Sequence, residues 1–436
     1  MYALYSLLSA AALVVAAPWL AWQAVRHGKY RHRWRERVGI LPKGLAGRSA
    51  PTLWLHAVSV GEVLSAVPLV AAFRREYPEW RVVVSTTTRT GRDTAETRLR
   101  DAAGIFYFPL DFAWIVRRVL AHVRPSLVLI VETEIWPNLL RLCRADGIGV
   151  LLVNARISDR SFPRYRRLGG LLAGVLAQFD RLCAQSEDSA VRLRELGAPA
   201  DRVVLTGSLK FDVAAGTADA VEVVASRLRG RPVLMAASTL RGEDDILLGI
   251  FRQLRVRHPE ARLVLAPRHP ERFDDVAALA GQDGLRAVRR TALTPTAGDE
   301  FDVLVLDTIG ELAALCAHAT VVFVGGSLVP AGGHNILEPA RYGRPVVVGP
   351  SMSNFAEIAR LFLAEGALVQ VPDARAAARE ILALFDDPAR RTTIGAAAAA
   401  VLDRHRGAVA RTMREVSAVL QQRGLEAPPT PVGASR

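Results

Sequence analysis

The segment from Val324 to Pro350 holds the densest group of residues that could bind a ligand. Gly325 and Gly326 follow the apolar run TVVFV, and because they have no side chains, their backbone N–H groups can approach a phosphate or a sugar closely. Asn335 and Glu338 are three residues apart, so on one helical turn they share a face. An amide beside a carboxylate suits the hydroxyls of a ribose or the polar edge of a base. The pattern predicts a nucleotide-binding turn, and an ordinary strand-to-helix turn with a capping asparagine is the alternative.

Acidic residues in the first half of the chain are candidates for acid–base chemistry. Glu62 follows the apolar run TLWLHAV and lies in the first turn of a predicted helix. There the helix dipole lowers the pKa of a carboxyl group and burial raises it, so a general base and a residue that serves only the dipole both remain open. Glu132 and Glu134 end the run SLVLIVE, and in a strand they project to the same side. We favour Glu132, which is nearer the strand end, as the functional residue of this pair.

Basic residues follow other apolar runs and indicate an anionic ligand. Lys210 lies where the first series of strands ends, so its ammonium group can offset charge that develops during a reaction. Arg268 and His269 follow the run RLVLAP, and Gly310 and Glu311 open a predicted helix. A guanidinium group and the backbone amides of a helix start can together hold a phosphate.

A cluster of arginines between residues 154 and 168 predicts contact with a phosphorylated and partly lipidic molecule. The aromatic residues Phe162 and Tyr165 lie among the arginines. A solvated basic loop is the alternative interpretation. The arginines are Arg156, Arg160, Arg164, Arg166 and Arg167.

Composition narrows the class of protein. The 436 residues are 50% hydrophobic, enough for two to three domains of about 150 residues each. The formal net charge of +13 favours an anionic partner, but aromatic residues are few and no nucleic-acid-binding motif is present, so we predict no nucleic-acid partner. The three cysteines are isolated, which argues against both a disulfide framework and a zinc–thiolate site.

Residues 2–25 contain no charged side chain and predict a membrane-anchor helix long enough to cross about 30 Å of hydrocarbon. A basic juxtamembrane segment follows at 26–48, and the positive-inside rule then places the main body of the chain on the cytoplasmic side. An amphipathic helix that lies in the membrane interface is the alternative, since Pro18 and Gln23 weaken the span.

Short apolar runs alternate with helical patterns in two successive series, which predicts an α/β fold with two Rossmann-like, doubly wound domains. These domains cover residues 49–212 and 222–420, with a hinge at Phe211 to Val221 and a disordered tail at 425–436. Ligands bind such folds at the carboxyl ends of the strands, so we expect the site in a cleft between the domains. The runs are TLWLHAV, RVVVSTT, GIFYFP, SLVLIVE, VLLVNA, RLCAQS and VVLTG, then PVLMAAS, RLVLAP, DVLVLD, TVVFVGG and PVVVGP.

Nine sequence blocks resemble those of the Kdo transferases, which attach 3-deoxy-D-manno-octulosonic acid (Kdo) to the lipid A precursor of Gram-negative bacteria. The resemblance implies a glycosyltransferase B fold, CMP-Kdo as donor and a phosphorylated, acylated glucosamine disaccharide as acceptor. It also implies inversion at the sugar, no metal or cofactor, and a place at the cytoplasmic face of the inner membrane in lipopolysaccharide synthesis. Between Leu53 and Pro350 the blocks are HAVSVGE, STTTRTG, VETEIWPN, NARISDRSF, LTGSLKFD, AASTLRGED, APRHPERF, DTIGEL and FVGGSLVPAGGHNILEP.

The resemblance also implies roles for individual residues. Glu62 matches the proton acceptor of the family, and Glu132 and Lys210 match positions that stabilise the transition state. The basic segment after Val153 supplies the expected acceptor-binding residues, Arg156, Arg160 and Arg164. The expected donor-binding residues are Arg268, His269, Ile309, Gly310, Glu311, Gly326, Asn335, Ile336, Leu337 and Glu338.

The alternative function is that of another nucleotide-sugar enzyme with the same fold, an epimerase or a different transferase. A soluble epimerase needs neither a membrane anchor nor an arginine cluster that faces lipid. Both features therefore favour the transferase.

Overall fold

The computed structural model describes residues 2, 5–11, 14, 15, 18, 22, 33–47, 50–159, 161–212, 221–282, 284–294 and 301–425. The chain divides into two compact units, one formed by Met1–Val213 with Gly407–Arg436 and the other by Ala214–Arg406. Each unit is built on one seven-stranded sheet. The predicted hinge residues 213–220 and tail residues 426–436 lie outside the described part of the chain.

All strand pairs in both sheets are parallel. Every apolar run that the sequence assigned to a strand forms one, which confirms the α/β fold with two parallel sheets. Two edge strands, β10 and β14, were not predicted, since two or three residues are too few to show a pattern. The strands are β1 Thr52–His56, β2 Arg81–Thr86, β3 Gly104–Tyr107, β4 Leu127–Val131, β5 Gly149–Ala155, β6 Arg181–Ala184, β7 Val203–Leu205, β8 Val233–Thr239, β9 Arg262–Pro267, β10 Ala287–Arg289, β11 Val303–Val305, β12 Val321–Val324, β13 Val346–Val348 and β14 Val369–Gln370.

Helices connect the strands, as parallel pairing requires. They are α1 Trp34–Arg37, α2 Val60–Glu76, α3 Arg89–Arg98, α4 Ala113–Val123, α5 Pro137–Ala145, α6 Phe162–Arg166, α7 Gly170–Leu176, α8 Glu187–Glu195, α9 Glu222–Leu228, α10 Glu243–Arg257, α11 Phe273–Gly281, α12 Leu312–Leu315, α13 Leu337–Ala340, α14 Ala356–Ala364, α15 Ala374–Asp386, α16 Pro388–His405 and α17 Ala408–Gln422.

The first sheet has the strand order β3-β2-β1-β4-β5-β6-β7. Both of its faces are buried, as is usual for parallel sheets. Along β1, Leu53 and Leu55 enter a core that α2, α3 and α17 cover, whereas Trp54 enters the core on the opposite face, under α4, α5, α7 and α8. Successive residues of the strand point to opposite faces of the sheet, and both faces are buried, so the strand is a continuous apolar run.

The last helix, α17, belongs to the first unit. The prediction that the second domain extends to residue 420 is therefore wrong, because the second unit ends at Arg406. Met413, Val416 and Leu420 of α17 are buried in the same core as Leu53 of β1 and Phe73 of α2. This contact joins residues more than 300 positions apart in the sequence, so no local sequence pattern predicts it.

The second sheet has the strand order β10-β11-β9-β8-β12-β13-β14. Its core lies under α10, α11, α15 and α16, which contribute side chains such as Phe251, Val276 and Ile381. The strands β8, β9 and β12 at its centre are buried along almost their whole length.

Helix α1 is held against the edge of the first sheet by a buried ion pair. Arg92 Nη1 lies 2.7 Å from Glu36 Oε2, and both side chains are almost fully buried. The same carboxylate oxygen accepts the N–H of Tyr107 in β3 at 2.8 Å. The end of the basic segment 26–48 is therefore packed on the first unit.

Half of the segment 2–25, for which the sequence predicts an anchor, lies outside the described residues, as do residues 26–32. Among the residues that the structure does describe, no helix combines the length and the apolar character that a membrane span needs.

Candidate active site

The order of strands in the first sheet places its ligand crevice between β1 and β4. Strands are added outward from β1 on one side and from β4 on the other, and the loops that follow these two strands diverge. Glu62 lies in the helix after β1, and Glu132 lies directly after β4. Two of the predicted catalytic residues thus come from the two sides of this crevice.

Glu62 is held by the start of its own helix, α2. Its Oε2 accepts the N–H of Val58 at 2.7 Å, and its Oε1 accepts the hydroxyl of Ser59 at 3.0 Å. Burial raises the pKa of Glu62 to about 7; the N–H of Val58 opposes this shift, the carboxylate of Glu132 adds to it, and Ser59 and Lys210 oppose it. A carboxyl group with this pKa takes up or releases a proton readily near neutral pH, as a general base requires.

Glu132 and Lys210 form an ion pair beside Glu62. The backbone of Glu132 is left-handed, with φ of 61°, and its N–H donates to Val153 O at 2.9 Å. Lys210 lies in the 3-10 turn Leu209–Asp212, with Nζ 3.4 Å from Glu132 Oε1. Since both charges act on the pKa of Glu62, the structure brings the three predicted catalytic residues into one electrostatic group.

Glu134 is a further member of this group, although the sequence analysis set it aside in favour of Glu132. Burial raises the pKa of Glu134 to about 7, and the charges of Glu62 and Glu132 raise it as well. Tyr165 of α6 is close enough that the charge of Glu134 adds to the effect of burial in raising its pKa. The spacing of the two acids in ETE is the available signal, and it favours Glu132 only as the residue nearer the strand end. The left-handed turn at Glu132 ends the strand alternation that predicts both side chains on one side.

Two of the three predicted acceptor arginines are described, and Arg160 lies outside the described residues. Arg156 follows β5, and its carbonyl oxygen accepts the hydroxyl of Thr133, which ties this loop to the turn of Glu132. Arg164 is exposed on α6, directly before Tyr165. Arg156 and Arg164 are therefore attached to segments that border the carboxylate group.

The glycine turn after β12 binds a carboxylate of the chain itself. Gly325 needs to be glycine, because an added Cβ would lie 2.5 Å from Ser238 O. Glu243, the fully buried first residue of α10, accepts backbone N–H groups from both turns at the ends of β8 and β12. The donors are Leu240 at 2.9 Å, Gly326 at 2.8 Å, Ser327 at 3.1 Å and Leu328 at 3.0 Å.

This finding corrects the interpretation of Gly326. The sequence analysis offered its N–H to a ligand phosphate, but that N–H is already donated to Glu243, 83 positions earlier in the chain. The anion that these amides hold is therefore internal, and the turn is a structural junction of two strands.

Asn335 and Glu338 are hydrogen-bonded to each other at the start of α13. Asn335 Nδ2 donates to Glu338 Oε1 at 3.1 Å, and Asn335 Oδ1 accepts the N–H of Leu337 at 3.1 Å. Asn335 precedes the helix and does not lie within its first turn. Ile336 and Leu337 are buried, so of this predicted set only Asn335 and Glu338 offer polar side chains to a ligand.

Arg268 and His269 lie exposed at the carboxyl end of β9. The N–H of Arg268 donates to Thr239 O in the neighbouring strand β8, at 3.0 Å. Burial lowers the pKa of His334 to about 4, and the charges of Arg268 and His269 lower it as well. His334 is thus uncharged at neutral pH, and the pair lies close to the segment that carries Asn335.

The third predicted donor segment, Ile309 to Glu311, follows β11. Ile309 is 75% exposed, and Gly310 has φ of 100°, which favours glycine at this turn. The carboxylate of Glu311 is held by Arg290 at 2.8 and 3.0 Å and by the hydroxyl of Thr308 at 2.8 Å. Because β9, β11 and β12 are parallel, the three predicted donor segments that follow them lie at the same end of the second sheet, where the strands have their carboxyl ends.

The fold is shared with solved enzymes at low sequence identity. A UDP-GlcNAc 2-epimerase from Neisseria meningitidis, solved with UDP-GlcNAc, matches 85% of this chain and 100% of its own with a TM-score of 0.56 and 13% identity. A glycosyltransferase from Rickettsia africae matches 86% of this chain and 99% of its own, with a TM-score of 0.51 and 13% identity. These similarities show a fold that resembles glycosyltransferase B.

Sequence similarity is more specific than the shared fold. Residues 32–213 match the family described as 3-deoxy-D-manno-octulosonic-acid transferase (kdotransferase). A 3-deoxy-D-manno-octulosonic acid transferase of Bordetella pertussis is 41% identical over 85% of this chain and 89% of its own. The enzyme of the same name from Haemophilus influenzae is 35% identical over 89% of this chain and 92% of its own. Relatives this similar over nearly their whole length show that the chain belongs to the 3-deoxy-D-manno-octulosonic acid transferases, and that it is a glycosyltransferase.

Proposed function

We propose that the protein transfers Kdo from CMP-Kdo to a hydroxyl group of the lipid A precursor, a phosphorylated and acylated glucosamine disaccharide, with inversion and release of CMP. Family membership supports the sugar that is transferred. The observation that carries the proposal is the buried carboxyl group of Glu62, with a pKa of about 7, next to the ion pair of Glu132 and Lys210.

In the proposed step, Glu62 accepts the proton of the acceptor hydroxyl while the oxygen of that hydroxyl attacks the anomeric carbon of Kdo. The bond from that carbon to the phosphate oxygen breaks, and CMP leaves with the electron pair. One displacement inverts the configuration. The anomeric carbon becomes positive as the bond breaks, so the carboxylate of Glu132 stabilises the sugar, and Lys210 balances the Kdo carboxylate or the departing phosphate.

The donor is assigned to the second unit. Arg268, exposed at the end of β9, is the cation for the phosphate of CMP, and the neighbouring imidazole of His269 offers it a further hydrogen bond. The hydrogen-bonded pair of Asn335 and Glu338 presents an oxygen and an amide to the ribose or the base, and the turn at Ile309 to Glu311, after β11, is the third proposed donor segment. A single phosphate held by fixed cations needs no metal ion, so the proposed reaction proceeds in a chelator.

The acceptor is assigned to the first unit. Arg156, Arg160 and Arg164 are the proposed partners of its phosphates, since guanidinium groups bind phosphate in a bidentate manner. The apolar segment 2–25 is the proposed anchor in the inner membrane, with the catalytic units on the cytoplasmic side. The product of this step would then enter lipopolysaccharide inner-core synthesis.

Turnover of defined substrates tests the proposal. The full chain is extracted in detergent and incubated with freshly made CMP-Kdo and tetraacyl disaccharide bisphosphate in EDTA, and the products are identified by mass spectrometry. We expect addition of whole Kdo units, whose number the spectrum also gives. Glu62→Gln should abolish addition, whereas Glu195→Gln, at an exposed position of α8, should keep it.

Two results would refute the proposal. Intact acceptor from a folded protein that binds CMP would indicate another sugar or another acceptor. Conversion of a free UDP-sugar to its 2-epimer would support the epimerase alternative, for which the present likeness concerns the fold alone.

A further inference from the structure

Asn154, near the end of β5, has an unusual environment. It is 0% exposed, and its φ is 53°, a backbone conformation that asparagine tolerates better than most residues other than glycine. The pairing of β5 with β6 shifts register between Leu152 and Ala155, on either side of Asn154. Such an irregularity at the end of a strand redirects a side chain.

The side chain of Asn154 holds the turn that carries Lys210. Its Oδ1 accepts the N–H of Leu209 at 3.0 Å, and Leu209 is the first residue of that 3-10 turn. The side chain of Leu209 is buried in the core of the first unit. At the other end of the turn, the carboxylate of Asp212 accepts two backbone N–H groups at the start of α17, at 2.7 and 2.6 Å.

The residue before Asn154 holds the other member of the ion pair. Val153 O accepts the N–H of Glu132 at 2.9 Å. Two successive residues of β5 therefore fix the backbones from which Glu132 and Lys210 extend toward each other. A lysine side chain has a flexible four-carbon stem, so the position of its backbone limits where its ammonium group can lie.

The chemistry of the position favours asparagine over its closest substitutes. Glycine adopts a positive φ but offers no acceptor to Leu209. Aspartate offers the acceptor but places a second carboxylate one residue from Lys210, where it competes with Glu132. Asn154 Nδ2 is buried without a hydrogen-bond partner in the described part of the chain, so the side-chain oxygen is the atom of Asn154 that holds the turn.

We propose that Asn154 is a positioning residue for Kdo transfer, whose side-chain oxygen fixes the turn that presents Lys210 to Glu132. This inference rests on the roles proposed above for Glu132 and Lys210.

A double-mutant cycle separates positioning from general stability. The values of kcat and of KM for CMP-Kdo are measured for the wild type, Asn154→Gly, Lys210→Ala and the double variant. Asn154→Gly should lower kcat by about 10- to 100-fold, the loss typical of a small misplacement, and change KM by less than about twofold. In the Lys210→Ala background the same substitution should lower kcat by less than about twofold, because residues that act through one another are not additive.

Different results contradict different claims. Equal losses of kcat in both backgrounds would show that Asn154 does not act through Lys210. Loss of turnover in Lys210→Ala but not in Asn154→Gly would refute the inference and leave the proposed function intact. Full turnover in Lys210→Ala would refute the proposed role of Lys210, and the inference with it.

Hydrogen exchange tests the same contact without any turnover. Exchange of the Leu209 amide should be faster in Asn154→Gly and remain slow in Asn154→Asp, which keeps the acceptor oxygen. The matched control is Asn138→Ala, since Asn138 is also 0% exposed and its amide donates to Asp111 O at 2.6 Å. This variant should leave kcat and the exchange of Leu209 unchanged. Slow exchange at Leu209 in Asn154→Gly would overturn the inference even if every variant were inactive.

Discussion

The protonation of Glu62 is the feature on which activity should depend most directly. Burial raises the pKa of its carboxyl group from 4.5 to about 7, so the residue is mainly protonated below that value and mainly a carboxylate above it. Only the carboxylate can accept a proton. The pH dependence of transfer should therefore report the environment of Glu62 together with that of Glu134, whose pKa is also raised to about 7.

We expect kcat/KM to rise as the pH increases through about 7 and then to level off. Neutralising Glu132 as Glu132→Gln should move this rise to lower pH, because the charge of Glu132 raises the pKa of Glu62. Lys210→Met should move it to higher pH, because the charge of Lys210 lowers that pKa. Carboxyl carbon NMR of Glu62 checks the same shifts without turnover, and displacements in one common direction would contradict the electrostatic grouping.

At the scale of elements, Glu243 joins two strands of the second sheet through their turns. Its buried carboxylate accepts four backbone N–H groups. An amide in its place would turn its own N–H₂ donor toward some of these N–H groups, which would then lose their acceptor. We expect Glu243→Gln to lower the free energy of unfolding by about 3 kcal/mol, measured by denaturant titration. Glu260→Gln, at an exposed position before β9, should change it by less than about 0.5 kcal/mol. Equal stability of the two variants would show that this junction is dispensable.

Gly395 allows α16 to pack against the turn that follows α13. An added Cβ would overlap the carbonyl oxygen of Gly343, and this turn is joined to the helix that carries Glu338. Gly395→Ala should therefore lower the free energy of unfolding by about 1–3 kcal/mol and weaken CMP binding, measured by calorimetry.

The matched control for Gly395 is Gly249, which lies in α10 with open space around its Cα. Gly249→Ala should raise stability by up to about 1 kcal/mol, since alanine favours a helix more than glycine does. Stabilisation by both substitutions would mean that α16 does not contact the turn at Gly343.

At the scale of the whole molecule, the net charge of +13 should add a preference for anionic lipid to the attachment by the proposed anchor, residues 2–25. We expect the full chain to sediment with vesicles that contain phosphatidylglycerol and to bind phosphatidylcholine vesicles less. Raising the salt from about 0.1 M to about 1 M shortens the Debye length from about 10 Å to about 3 Å and should remove most of the difference in binding between the two kinds of vesicle. Equal, salt-independent binding to both vesicles would show that apolar insertion alone holds the protein.

Local patterns were sufficient to predict the strands and several positions in the site, but not the contacts between distant segments. The runs before Glu62, Glu132 and Arg268 are short and apolar. This pattern is local, and it was enough to predict a strand and to place each of these residues after its end. The donation from Gly326 to Glu243 joins residues 83 positions apart, so a glycine turn for a phosphate and one for an internal carboxylate look alike in the sequence. Asn154 was missed for the same reason, because its partner Leu209 lies 55 positions away.

The return of α17 to the first unit has a consequence for the order in which the protein is made. The second unit is one continuous segment, Ala214–Arg406, and can complete its sheet while the ribosome still holds the end of the chain. The first unit must wait for α17, which is synthesised after every strand of both sheets, and Asp212, two positions after Lys210, lacks its partners at Gly407 and Val409 until then.

A chain that stops at residue 406 should therefore contain every candidate catalytic residue and yet fail to transfer Kdo, with rapid exchange of the Leu209 amide and a first unit that proteases cleave easily. Addition of the missing segment as a separate peptide should restore part of the transfer activity and part of the slow exchange at Leu209. Full activity of the shortened chain without the peptide would contradict the proposed dependence on α17. On this expectation, catalysis requires α17 as well as both sheets, and a chain released before α17 is made should not consume an activated sugar.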